Sequence, residues 1–232
     1  MPTTPPSNNP PRIANRLRAG PAGLLYVPYS FLIPINTFYD DEDDVDTRGL
    51  DLELRTLDGL ELPPDYWAYF NKTSQTVAGI PLAFLALGPA TFVLEARDSA
   101  GLVTRLAFTI LINFNFLTTT NTLVQTFDVD FSSFNSDSTQ KADLVERLSS
   151  GAGVQQDLML VQSFTSGSVR LLWSIATESS SDCDKIHEAL DRMESPNGTP
   201  TPQFVSIMGP FPPVGSIEVT RSGLCAVTPP TV

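Results

Sequence analysis

Few side chains in this 232-residue sequence could form a catalytic or metal site. His187 is the only histidine, and Cys183 and Cys225 are the only cysteines. A structural zinc site usually takes four Cys or His ligands, so these three residues are too few for one. A serine or cysteine nucleophile would need His187 as its base, and a single histidine is more often an ordinary polar residue. We therefore expect no enzyme that acts on other substrates.

A run of acidic residues is a second candidate site. Residues 40–44 read Asp-Asp-Glu-Asp-Asp. Calcium takes several carboxylate oxygens as ligands, so Asp40, Asp41 and Asp43 are candidate calcium ligands. Their spacing is not that of an Asp-x-Asp-x-Asp-Gly loop, and the alternative is a solvated acidic loop. We expect no other cofactor.

Composition limits the partners and the fold. The chain has 14 Lys and Arg residues against 26 Asp and Glu, a net charge of −12. Nucleic-acid binding needs a basic surface, so a nucleic-acid partner is not expected. Apolar residues make up 41% of the chain, which is enough for packed cores, and its 20 prolines disfavour long helices. The length suits two domains of ordinary size.

Short apolar runs separated by turn residues fill the first half of the sequence. Residues 50–54, Leu-Asp-Leu-Glu-Leu, alternate strictly, as in a strand with one buried face. Many short strands with frequent turns are typical of a β-sandwich, which we predict over residues 15–116. A Pro- and Thr-rich tail at residues 1–14 precedes it. The predicted strands are residues 24–35, 50–54, 66–70, 76–87, 90–96 and 103–116.

The pattern changes near Leu117 and predicts a second, α+β domain over residues 117–228. Its elements follow the order β-α-β-β-α-β of a ferredoxin-like fold. Apolar residues at helical spacing predict helices over residues 138–148 and 181–193, the first ending at Ser150-Gly151. The predicted strands are residues 123–131, 157–164, 169–175 and 215–221.

Several short motifs occur in one order along nearly the whole chain. They are Phe31-Leu32-Ile33-Pro34, residues 37–43, Trp67, Gly79-Ile80-Pro81, Ala96-Arg97-Asp98, residues 167–173 (Gly-Ser-Val-Arg-Leu-Leu-Trp), Cys183 and Gly223-Leu224-Cys225. Together they resemble the membrane-proximal ectodomain of the dystroglycan family. The resemblance implies an immunoglobulin- or cadherin-like sandwich followed by a SEA-like autoproteolysis domain.

The resemblance also implies a site and a setting. It implies a disulfide between Cys183 and Cys225, and self-cleavage between Gly167 and Ser168. Cadherin-like domains often pair an acidic cluster with an aspartate such as Asp98, which joins the candidate calcium ligands. The implied location is the extracellular face of the cell membrane, and a chain without a signal peptide or membrane span is expected to be a piece of a longer protein.

The implied partners follow from the same resemblance. They are the chain's own second cleavage product, matrix proteins bound through a glycosylated region absent from this sequence, and sarcoglycan-type membrane proteins. Asn71-Lys72-Thr73 and Asn197-Gly198-Thr199 are sequons, so Asn71 and Asn197 are candidate glycosylation sites in that location.

The chemistry at Gly167-Ser168 needs explanation, because residues 163–172 contain no His, Asp, Glu or Lys that could act as a base. Strain offers another route: a peptide bond twisted by folding loses resonance, and a distortion of ~12° already costs ~1 kcal/mol. Ser168 could then attack the Gly167 carbonyl in a single-turnover reaction that folding drives. Arg170 interrupts the aliphatic run of the usual motif, but it falls on the face opposite Val169 and Leu171.

One alternative remains open. Gly167-Ser168 could be an ordinary hairpin turn, in which case the chain is an uncleaved, sarcoglycan-like protein-binding scaffold, with or without calcium. The pair Gly215-Ser216 is also followed by an aliphatic residue, and we interpret it as structural because it opens the last predicted strand.

Overall fold

The computed structural model describes residues 8–177, 179 and 182–226. The first domain is a β-sandwich of short strands, as its alternating apolar residues predict. The strands are β1 (Arg12–Ile13), β2 (Gly23–Leu24), β3 (Tyr29–Leu32), β4 (Phe38–Asp40), β5 (Val45–Asp46), β6 (Asp51–Thr56), β7 (Ala68–Asn71), β8 (Thr76–Gly79), β9 (Gly88–Arg97) and β10 (Val103–Asn113).

Two sheets of this domain pack face to face. One has the order β2-β10-β9-β6 and the other β3-β8-β7, while β1-β4-β5 forms a small third sheet. Aromatic rings from both sheets meet between them, with Trp67 and Phe92 at a centroid distance of 6.2 Å and Phe31 and Phe108 at 6.3 Å. The core is therefore continuous between the two layers, as in other sandwiches.

The described part of the predicted tail packs on the sandwich. Arg12 and Ile13 pair with β4, and the Thr104 hydroxyl donates a hydrogen bond to the Pro11 carbonyl. The side-chain amide of Asn8 donates a hydrogen bond to the Asp98 carboxylate at 3.2 Å. The composition of the tail does not predict these contacts, because the residues that it contacts lie far along the sequence. Residues 1–7 of the predicted tail lie outside the described residues, as do residues 227 and 228 of the predicted second domain.

The second domain mixes helices and strands. It contains β11 (Asn121–Asp130), α1 (Phe131–Asn135), α2 (Ser138–Ala152), β12 (Met159–Thr165), β13 (Ser168–Ile175), α3 (Asp182–Met193), α4 (Pro202–Met208) and β14 (Pro213–Arg221). Two of these elements, the short helices α1 and α4, are not predicted by its sequence pattern. The sheet is antiparallel with the order β12-β13-β11-β14, so β13 and β11 are its inner strands. The helices pack on one core with the sheet's buried side chains.

Helix α2 runs further than its sequence pattern predicts. It begins after Asp137, whose carboxylate accepts hydrogen bonds from two amides of the first turn, and ends at Gly153, which has a φ of +68°. Gly151, the predicted stop, lies inside the helix. A Cβ there would come within 2.6 Å of the Phe204 ring, so this glycine allows α2 and α4 to pack closely. No helix in the described ranges is both long and apolar enough to span a membrane.

The two domains meet through backbone hydrogen bonds and a shared core. The amide of Ser138, at the start of α2, donates to the Pro64 carbonyl at 2.8 Å, which satisfies a donor that the helix itself leaves unpaired. Along the free edge of β12, the Val161 amide donates to the Tyr26 carbonyl at 2.8 Å. Ile80 of the first domain is 5% exposed and belongs to the core of the second.

Candidate functional site

Gly167 and Ser168 lie at the turn that joins β12 to β13. The last cross-strand pair before the turn is Thr165 with Arg170. Gly167 has a φ of +115°, which glycine adopts far more readily than other residues. A Cβ added there would meet nothing within 4 Å in the described part of the chain. The turn thus needs glycine for its backbone conformation, and both residues are exposed.

Ser168 also pairs with β11, at a place where the pairing of β11 with β13 is irregular. Phe127 pairs with Val169, whereas Asp130 pairs with Ser168, so the register shifts by two residues of β11. Such bulges bend a strand and increase its twist, and they are common next to active sites. Ser168 therefore pairs with β11 at the end of β13 that follows the turn from β12.

Asp130 is a residue of this site that the sequence analysis missed. Its carboxylate accepts hydrogen bonds from the Ser132 hydroxyl at 2.6 Å and from the Ser133 amide at 2.9 Å, which caps α1. These bonds lower the pKa of Asp130 to about 2. Asp130 is thus ionised at neutral pH and is a weak base. An aspartate just before a helix is a sequence signal for a cap, but the proximity of Asp130 to Ser168 depends on strand pairing.

Arg170 takes the solvent-facing position that the alternation predicts. Its guanidinium forms an ion pair with Glu218 of β14 at 2.7 Å, while Val169, Leu171 and Trp173 are fully buried. The arginine therefore replaces an aliphatic residue of the motif without entering the core.

Cys183 and Cys225 form the disulfide that the resemblance implies. Their Cα atoms are 5.5 Å apart, and they join α3 to the segment after β14. Both cysteines follow Ser168 in the chain, so this bond links two parts of the region after the Gly167-Ser168 peptide.

The acidic residues near Asp40 cap a turn. Asp40 is buried, and its Oδ1 accepts hydrogen bonds from the amides of Glu42 and Asp43 at 3.0 and 2.9 Å. Asp41 points to solvent and forms an ion pair with Arg12 at 2.8 Å. The carboxylates of Asp40 and Asp41 thus have different environments.

Asp98 also serves a turn. Its Oδ1 accepts from the Leu102 amide at 2.7 Å, while Asp43 Oδ2 lies 3.4 Å from the Ser99 amide. Within residues 8–177, 179 and 182–226, no group of three or more His, Cys, Asp or Glu side chains is arranged to hold a metal ion. The calcium ligands predicted from sequence remain a prediction.

The remaining predicted residues lie apart from the turn. Asn71 and Asn197 are exposed, and the Oδ1 of Asn71 accepts from the Ser74 amide at 3.0 Å. His187 is exposed on α3, where the Arg221 guanidinium lies 2.8 Å from its Nε2. Arginine can only donate this bond, so the imidazole nitrogen accepts it.

A family model matches the first domain. Residues 7–113 match the model described as the alpha-dystroglycan third Ig-like domain. The match supports a dystroglycan-like identification of this part of the chain as an Ig-like domain, and an extracellular adhesion-type domain fits that match. An extracellular location is consistent with the Cys183–Cys225 disulfide, because such bonds persist in oxidising compartments. The second domain lies outside the matched residues.

Solved structures with similarity to this chain include Ig and cadherin proteins. The Ig1-2 module of the Drosophila receptor protein tyrosine phosphatase DLAR is 12% identical, with a TM-score of 0.32 over 47% of this chain and 51% of that one. The human Desmocollin-1 ectodomain is 8% identical, with a TM-score of 0.36 over 74% of this chain and 32% of that one. At such scores the fold of this chain rests on its own strands and on the family match.

Proposed function

We propose that this chain is an extracellular adhesion-receptor module whose second, SEA-like domain cleaves its own backbone between Gly167 and Ser168. The two products then stay together as a non-covalent heterodimer. In the membrane-bound receptor, one product would carry the matrix-binding part and the other the membrane anchor. Sarcoglycan-type membrane proteins are the further partners that the dystroglycan resemblance implies.

The proposed reaction is an N-to-O acyl shift followed by hydrolysis. The Ser168 Oγ attacks the carbonyl carbon of Gly167, a C–O ester bond forms, and the C–N peptide bond breaks. The hydroxyl proton passes to the Ser168 nitrogen, which becomes the new amino terminus. Water then adds its oxygen to the Gly167 carbonyl carbon and returns a proton to Oγ. The reaction consumes one water molecule and needs no cofactor.

Strain at the turn supplies the driving force in this proposal. Ser168 is fixed by its pairing with Asp130, whereas Gly167 occupies an open turn at a φ of +115°. A twist of the connecting peptide would weaken its resonance, and every ~1.4 kcal/mol released in the transition state gives about a tenfold faster reaction. Because the Asp130 carboxylate is a weak base, a strain mechanism suits this turn better than general-base catalysis does.

The order of strands in the sheet is the observation that most strongly supports the heterodimer. A cut after Gly167 assigns β11 and β12 to the first product, and β13 and β14 to the second. In the order β12-β13-β11-β14, every pair of neighbours then joins one product to the other. Separating the products would break all three strand interfaces and expose Trp173, which is fully buried. The cut chains would therefore remain folded together.

The Ser168→Ala substitution tests the cleavage. The unchanged chain should give two bands on a denaturing gel and one species on a native gel, while Ser168→Ala should give a single band, since it lacks the nucleophile. Ser216→Ala is the matched control, because it alters the other Gly-Ser pair, and it should give two bands. A single full-length band from the unchanged chain would contradict the proposal.

An uncleaved protein-binding scaffold is the second candidate, and a patch of exposed aromatic residues favours it. Phe84, Phe114 and Phe116 are largely exposed and contact one another through ring pairs at 6.4 and 5.3 Å. Contiguous exposed apolar surface often marks a protein interaction site. If this candidate is correct, the unchanged chain stays whole on the gel, and Phe84→Ser weakens its binding to a sarcoglycan-type partner.

A further inference from the structure

We propose that helix α1 clamps the Gly167-Ser168 turn in its reactive conformation, and that Asp130 is the positioning residue of this clamp. The inference rests on the self-cleavage proposed above. It assigns a role to a short helix that lies far from the turn in sequence and contacts both of its arms.

The first contact is with the arm that follows the cut. Asp130 ends β11 and pairs with Ser168, and α1 begins at the next residue. The two-residue register shift before Asp130 separates this pair from the regular ladder that starts at Phe127 and Val169. The position of Ser168 therefore depends on how the chain leaves β11, which the start of α1 determines.

The second contact is with the arm that precedes the cut. Phe134 of α1 is fully buried, and its ring lies 5.1 Å from that of Phe164, near the end of β12. The ring of Phe211 also contacts Phe134, at a centroid distance of 6.2 Å. A buried ring with two aromatic neighbours restrains the β12 arm from moving away from α1.

The Asp130 carboxylate joins these two contacts. It caps the first turn of α1 through Ser132 and Ser133, so it holds the helix start next to the residue that pairs with Ser168. Without a cap the first turn of a helix frays, because its amides lose their acceptor. Fraying here would release Ser168 from β11, and the turn could relax.

Three variants distinguish this positioning role from a loss of stability or a loss of charge. Asp130→Ala removes the cap, and Asp130→Asn keeps a capping oxygen but removes the charge. Asp137→Ala is the matched control, because Asp137 caps α2 in the same way through Thr139 and Gln140. The cleaved fraction is followed by denaturing gel after cell-free synthesis of the full chain, at several pH values, and urea unfolding measures stability.

We expect Asp130→Ala to cleave at least about tenfold more slowly, and Asp130→Asn and Asp137→Ala to stay within about twofold of the unchanged chain. The pH profile of Asp130→Asn should match that of the unchanged chain. An Asp130→Asn variant as slow as Asp130→Ala would indicate a base and overturn the proposal. So would equal slowing by Asp137→Ala, or an unslowed Asp130→Ala. If the unchanged chain does not cleave, both this inference and the proposed function fail.

Amide hydrogen exchange tests the clamp independently of cleavage. In a Ser168→Ala background the chain stays whole, and Asp130→Ala should speed exchange at residues 168 and 169 about tenfold. Asp137→Ala should leave those amides unchanged. Unchanged exchange in the Asp130→Ala variant would overturn the clamp, even where the unmodified chain cleaves.

Discussion

Two Gly-Ser pairs in one sheet provide a natural comparison. Gly167 and Gly215 both have positive φ values, +115° and +70°, and both are followed by an exposed serine. Each pair also lies next to a register shift of β11, one toward β13 and the other toward β14. The two pairs thus share their sequence and a positive φ at glycine.

The difference between the pairs is their place in the sheet. Gly167 lies at the turn between two paired strands, and Ser168 begins the inner strand β13. Gly215 lies inside the edge strand β14, where Val214 and Glu218 pair with β11 and the register shifts between them. The Gly167 turn joins two strands that pair with each other, whereas β14 pairs with β11 alone in the described sheet. In the proposed mechanism, the place of a Gly-Ser pair in the sheet, rather than its sequence, would determine whether it is cleaved.

Alanine at each glycine should separate the two pairs most clearly. In the described residues, neither added Cβ meets an atom within 4 Å, so Gly167→Ala and Gly215→Ala differ from the native chain mainly in backbone strain. Each should lose ~1–2 kcal/mol of unfolding free energy, because a side chain disfavours positive φ. Only Gly167→Ala should slow cleavage, by about tenfold or more, because alanine avoids a φ of +115° and would shift the turn out of its reactive conformation. Equal slowing by Gly215→Ala on a denaturing gel would remove the distinction.

The disulfide gives the two pairs different covalent outcomes. A cut at Gly167 leaves Cys183 and Cys225 in one product, so reducing and non-reducing denaturing gels should both show two bands. A cut at Gly215 would leave two products joined until reduction. Replacing both cysteines by serine should cost ~2–4 kcal/mol in urea unfolding without changing the number of bands. Bands that appear only after reduction would place the cut at the wrong pair.

Arg170 should have the smallest effect. Its ion pair with Glu218 links β13 to β14 and is solvent-exposed, so Arg170→Val should change the unfolding free energy by less than ~1 kcal/mol. Cleavage should stay within about twofold of the native rate, because the buried face of β13 is unchanged. A large loss of cleavage in a gel time course would indicate that Arg170 acts on the turn itself.

Local patterns in the sequence predict much of this fold. Alternation at Val169, Leu171 and Trp173 gives the buried face of β13, and helical spacing gives α2, although its end is misplaced because Gly151 serves packing. The described part of the tail and the insertion of Ile80 into the second core could not be predicted, since both depend on partners far along the chain.

The candidate site divides in the same way. The Gly167 turn and the exposed side of Arg170 follow from local sequence. The role of Asp130 does not, because strand pairing brings it to Ser168 from a distant part of the chain. Both Asp40 and Asp98 are candidate metal ligands by sequence. In the structure, however, each carboxylate accepts a hydrogen bond from a backbone amide of its own turn. Residue type does not reveal whether a carboxylate already has donors.

Intact mass spectrometry of the unchanged chain under denaturing and reducing conditions shows whether the chain is cut between Gly167 and Ser168. Self-cleavage there should give two species, one ending at Gly167 and one beginning at Ser168, whose masses add up to the whole chain plus one water molecule. A single species with the mass of the uncut chain, or a cut at any other bond, would contradict it.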